Sequence, residues 1–191
     1  MKSKLLLMGL AVGLCSYALA QESDYYKTDE RVTVPADLGV EKADSFKNEA
    51  YSYKVETLQF GDSVSSLNSQ IEEYKAQGDE ADLNDLQKAY TEATGQNKRA
   101  ETLLNKGVDL ISKSGGVIKE MKSVRPLKMI PKATKMSKES ANVLNEAKNE
   151  LTEASKILPE NIKTLGQILT DRGVNLDDLK QLAPEVPSLD N

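Results

Sequence analysis

Histidine and tryptophan are absent from this 191-residue chain, cysteine occurs once, and phenylalanine twice. Without His or a retained Cys, the usual groups for general acid–base and nucleophilic catalysis near neutral pH are missing. The imidazole and thiolate ligands that hold soft transition metals are missing with them. Carboxylates remain, notably Asp79, Glu80, Asp82 and Asp85, but they lack the glycine and the distant Glu of a calcium loop, so they read as acids placed to favour a helix N-terminus. Glu72-Glu73 and Asp177-Asp178 read as solvated acids. No phosphate-cradling glycine loop or dinucleotide fingerprint occurs. The expectation is a protein that is not an enzyme and holds no metal and no cofactor.

Long apolar runs are scarce as well. The one at the start, Leu5 to Leu14, follows Lys2 and Lys4 and precedes Ala18-Leu19-Ala20, the three-part layout of a secretory signal cleaved after Ala20. The run is too short for a retained membrane helix. Leu14 before Cys15 is a poor match to lipoprotein processing, so cleavage removes the single cysteine. The mature chain of about 170 residues suits one domain and has no disulfide framework, so a helical core must hold it together. Loss of Lys2 and Lys4 leaves 23 cations against 30 anions, a net charge of −7 that disfavours nucleic acid as a partner. The expected location is exported, either periplasmic or at the cell surface.

What is abundant is helical spacing. Residues 43–74 place Ala43, Phe46, Ala50, Tyr53, Thr57, Phe60, Val64, Leu67, Ile71 and Tyr74 at alternating steps of three and four. Residues 83–111 do the same with Leu83, Leu86, Tyr90, Ala93, Asn97, Ala100, Leu104, Gly107 and Ile111. Such a heptad holds one helix seam against a partner, and the short Gly78-Asp79 break folds the two helices back as an antiparallel hairpin. The expected register sets Ile71 against Leu86, Leu67 against Tyr90, Val64 against Ala93, Phe60 against Asn97, Tyr53 against Leu104 and Ala50 against Gly107. Asn97 and Thr57 are candidates for buried polar groups that fix that register. Gly95 and Gly107 mark close helix approach or a bend, and Gly115-Gly116 is expected to end the second helix. A second apolar patch, Tyr51, Val55 and Leu58, calls for a third helix to cover it. A third heptad runs Ser140, Leu144, Ala147, Leu151, Ala154, Leu158 and stops at Pro159. Ile162, Leu165, Ile168 and Leu169 then make a short helix ended by Gly173, and Leu176, Leu179 and Leu182 a final turn or two.

The fold class is therefore all-α: an elongated antiparallel helical bundle, with a coiled-coil-like hairpin (41–77 and 80–114), a Pro-interrupted third helix (117–158) and short C-terminal helices. Residues 1–20 are the signal, 21–40 an extended N-terminal arm in which 31–34 are a candidate strand for a partner's sheet edge, 41–183 a single bundle domain, and 184–191 a disordered tail.

One segment departs from the overall charge. Residues 117–138 carry Lys119, Lys122, Arg125, Lys128, Lys132, Lys135 and Lys138 against the single acid Glu120, together with the methionines Met121, Met129 and Met136. Flexible methionines suit an adaptable contact surface, and the cations draw such a surface toward anionic lipid or an acidic envelope polymer. The bland alternative is that these lysines neutralise neighbouring acidic helices while the methionines fill a kink around Pro126 and Pro131. The resulting expectation is an exported, non-catalytic binding or scaffold protein of the cell envelope, with a protein partner or a second copy of itself, and with 117–138 as its candidate contact surface. The alternative class is a helical carrier of a lipid or other apolar small molecule, with Tyr53, Phe60 and Tyr90 lining the seam.

Overall fold

The computed structural model describes residues 29–182; the signal segment, Tyr25, Tyr26 and the tail 183–191 lie outside the described residues. Of the described residues 85% are helical and none is in a strand. Three long helices, α1 (Glu41–Gln77), α2 (Leu83–Glu120) and α3 (Ile130–Ser155), form an up-down-up bundle, followed by α4 (Leu158–Asp171) and α5 (Leu176–Leu182). The all-α bundle is the one that the heptads imply.

The hairpin turn is built from local chemistry. Gly78 ends α1 with φ +57°, a value that favours glycine. Asp82 caps α2, its carboxylate accepting from the N–H groups of Asn84 (2.8 Å) and Asp85 (3.2 Å). Arg172, just past α4, donates to the turn carbonyls of Ala81 (2.6 Å) and Gly78 (2.5 Å), which pins the C-terminal helices to this end.

The core is a continuous set of apolar side chains from all of α1 to α5, including Tyr53, Phe60, Leu67, Ile71, Leu86, Leu144, Leu151 and Leu165. α2 packs against α1 and α3 together, so it buries a wider stripe than a two-helix seam. Ala89, Leu103 and Leu110 join that stripe, whereas Leu83 is exposed and Leu104 and Ile111 are only partly buried. Asn97 is not a buried seam residue: it is half-exposed and donates to Glu101 Oε1 of its own helix. Thr57 is buried, but its hydroxyl donates to Tyr53 O one turn back, at 2.9 Å. Gly107 lies against the Tyr53 ring, one turn from the expected Tyr53–Leu104 pairing.

Two helix boundaries differ from expectation. α2 continues through Gly115-Gly116 to Glu120, because Val117 and Met121 beyond them reach the core. That burial outweighs a helical penalty of roughly 1 kcal/mol per glycine. The third helix is not one Pro-interrupted helix from 117. Residues 117–120 belong to α2, two single 3-10 turns (Met121–Ser123 and Leu127–Met129) follow, and Pro131 sits in the first turn of α3, where its missing N–H is harmless.

Residues 29–40 of the extended arm are non-helical. They run back along α1 as a strap, and among the described residues 31–34 pair with no other strand. Arg31 makes a bidentate pair with Asp62 (3.0 and 2.7 Å), Lys47 bonds Pro35 O (2.7 Å) and Asp37, and the Asp44 carboxylate accepts from the N–H groups of Leu38 and Val40, both at 2.8 Å. Nine residues of extended chain span about 30 Å, which matches the rise of α1 from its start to Asp62. The strap is taut. By helical spacing Asp44, Lys47 and Asp62, which hold the strap, share a flank of α1 with Tyr51, Val55 and Leu58. Tyr51 faces the α3 side: burial raises its hydroxyl pKa, with Glu139 and Glu146 of α3 adding to the shift.

Candidate functional site

The basic segment forms the end of the bundle opposite the hairpin turn, and the structure separates its two residue types. Lys119 leaves the last turn of α2, Lys122 the following 3-10 turn, Arg125 and Lys128 the connecting loop, and Lys132, Lys135 and Lys138 the first turns of α3; all seven are exposed. The methionines point the other way. Met121 is fully buried and Met136 nearly so, packed with Val40, Ala43 and Ala133 in a second small core that Leu38, Val124 and Met129 flank. This cluster holds the strap, α1, α2 and α3 together at the basic end. Met121 and Met136 are thus anchors, and the candidate contact surface is one of cations.

Among the described residues only Lys135 of the seven makes an ion pair, with Glu139 at 3.7 Å. The segment's own acid, Glu120, is taken by Lys42 of α1 at 2.6 Å, and this bond raises the Lys42 pKa. Acidic helices beside the segment do not absorb the other six. Between Arg125 and Lys128 the loop also presents Leu127, which is 59% exposed and the most exposed large apolar side chain in the described residues. Sequence reasoning missed Leu127, because an apolar residue beside Pro126 in a helical protein reads as interior filling.

The opposite end carries the reverse charge. Residues 72–85 hold Glu72, Glu73, Asp79, Glu80, Asp82 and Asp85 against Lys75 alone. With α1 about 55 Å long at 1.5 Å per residue, the molecule is a rod with an acidic turn end and a basic loop end.

A cleft of about 280 Å³ lies between α2, α4 and α5 and is lined by Tyr90, Ile162, Lys163, Gly166, Gln167, Thr170 and Leu176. No carboxylate lines it. Tyr53 and Phe60 sit within the packed seam and form no part of its wall. Arg99 lies over the Phe60 ring, 6.0 Å from its centroid, in a cation–π arrangement. Among the described residues no group of three or more acids, His or Cys is placed to hold a metal, and no helix is long and apolar enough to cross a membrane. Within the strap, hydrogen bonds from Arg31 hold the Asp29 carboxyl down at about 2.

Comparison with known proteins returned no matching family model, curated protein or solved structure.

Proposed function

We propose that this chain is an exported, non-catalytic binding or scaffold protein of the cell envelope that engages an anionic partner through the basic end of its bundle. The observation that carries the reading is the exposure of all seven cations, six of them without an ion pair among the described residues. Charges placed only to balance neighbouring helices would be paired with them. Among the described residues the exposed large hydrophobics outside the basic end are single side chains on different elements, Val34 on the strap, Leu83 at the start of α2 and Val108 in the second half of α2.

The test is retention of the mature chain on anionic surfaces, both a soluble polyphosphate and anionic vesicles, at low salt. Binding is expected to weaken steeply as the Debye length falls from about 10 Å at 0.1 M salt to about 3 Å at 1 M. The variant Lys128→Gln/Lys132→Gln/Lys135→Gln should lose binding with helix content and Tm nearly unchanged, because exposed ion pairs contribute about 0–1 kcal/mol to stability. A parent protein that ignores both kinds of surface refutes the reading. Export is tested separately by N-terminal sequencing of protein from the envelope fraction, where Gln21 is expected as the first residue and Met1 would be contrary.

A further inference from the structure

The basic end has a feature that charge alone does not account for, and it narrows the partner. Leu127 stands at the tip of the loop between α2 and α3, flanked by Arg125, Pro126 and Lys128 and followed by half-buried Met129 and Ile130 and exposed Pro131. The loop is kept in this position by what lies beneath it. Met121 before it and Ala133 and Met136 after it are buried in the small core shared with Val40 and Ala43, so both ends of the loop are fixed and only its tip is left to solvent. A soluble polyanion offers cations a partner but offers Leu127 nothing. A bilayer interface takes both, with the apolar tip among the acyl-chain boundary and the surrounding cations among the headgroups.

Resting on the proposed role of the basic end, we propose that the partner is an anionic lipid bilayer, into whose interface the Pro126-Leu127 tip inserts while Arg125, Lys128, Lys122 and Lys132 hold the headgroups. The net negative charge of the chain does not oppose this. The cluster of six acids from Glu72 to Asp85 stands about 45–55 Å away along α1, many times the Debye length of about 8 Å at physiological salt. Their repulsion of the surface is screened at that distance. The same screening ranks the cations. Lys128 sits beside the tip, whereas Lys138 is eight residues into α3, about 12 Å farther up, and belongs to a layer where the surface field has decayed. A polymer wrapping the basic end would make no such distinction.

The absence of tryptophan supplies a clean reporter. The mature chain carrying Leu127→Trp is titrated with vesicles of phosphatidylcholine containing roughly one third phosphatidylglycerol, with pure phosphatidylcholine vesicles and with soluble polyphosphate. Expected are a blue shift and quenching by brominated lipid on the anionic vesicles only, about a fivefold affinity loss for Lys128→Gln and less than twofold for Lys138→Gln. Leu127→Asp, which alters an exposed position and leaves the fold intact by circular dichroism, should abolish partition into the vesicles while retaining polyphosphate binding. Vesicle binding in which the introduced indole stays in water and Leu127→Asp binds like the parent overturns the insertion. Binding to polyphosphate without binding to anionic vesicles overturns the bilayer as partner and leaves the basic-end reading standing. Binding to neither overturns both.

Discussion

Gly107 tests whether the bundle's register is understood. Four glycines lie inside α2, and a β-carbon is normally worth about 1 kcal/mol at such a position, because alanine restricts the unfolded chain and shields the helix backbone. At Gly95, Gly115 and Gly116 an added β-carbon meets nothing within 4 Å. At Gly107 it would lie 2.3 Å from Tyr53 Oη and 2.7 Å from Cζ, far inside contact distance. Tyr53 cannot swing aside, since it is fully buried in the seam. Overpacking of this kind costs about 1–3 kcal/mol, so Gly107→Ala should come out between neutral and about 2 kcal/mol destabilising after the intrinsic gain. Gly95→Ala, in the same helix, should stabilise by roughly 0.5–1 kcal/mol. Urea unfolding followed by helix signal reads both, as changes in midpoint at constant slope. Tyr53→Phe removes the oxygen that makes the closest approach, so the double variant Tyr53→Phe/Gly107→Ala should be less destabilised than the two single changes added together, by a coupling of roughly 1 kcal/mol. Gly107→Ala that stabilises as much as Gly95→Ala would refute the packing of α2 against α1 described above.

The remaining predictions concern burial and the strap. Burial pushes the Tyr53 hydroxyl up to about 12, above its unfolded value near 10, so the folded state keeps a proton that the unfolded chain releases; stability is full below pH 10 and should fall between about pH 10 and 12 by up to roughly 2–3 kcal/mol, a loss that Tyr53→Phe should abolish in alkaline unfolding curves. Met121→Ala, at a position with no exposure, should cost about 2–4 kcal/mol in urea unfolding, whereas Leu127→Ala should change stability by less than about 0.5 kcal/mol; equal effects would contradict the assignment of one as anchor and the other as contact. Arg31→Ala, which removes exposed pairs only, should release residues 29–34 to limited proteolysis while moving bundle stability by no more than about 1 kcal/mol. A strap that stays protected in that variant would show that other contacts hold it.

The sequence by itself determined the helices, the hairpin, most of the points where helices start and stop, and the concentration of charge in 117–138. These are short-range matters: heptad spacing, Gly78 and Gly173 with positive φ, Asp82 as a cap, Pro131 and Pro159 in first turns. It also ranked Asn97 and Thr57 together as polar seam residues, although one is half-exposed and the other answers its own helix. Only the tertiary structure decided that. In a three-helix bundle each helix has two neighbours, and the buried stripe of α2 turns toward α3 and carries Asn97 out of the seam. Tertiary packing also decided that α2 passes through two glycines, because the residues beyond them have a core to enter, and that the arm is a strap, because its ion-pair partners Asp62 and Lys47 lie far along the chain from it. The division of 117–138 into buried methionines and outward cations around Leu127 has the same origin. On one unbroken helix Met121, Met129 and Met136 would share a side with Arg125, Lys128 and Lys132, and the two prolines and the turns between α2 and α3 rotate them apart.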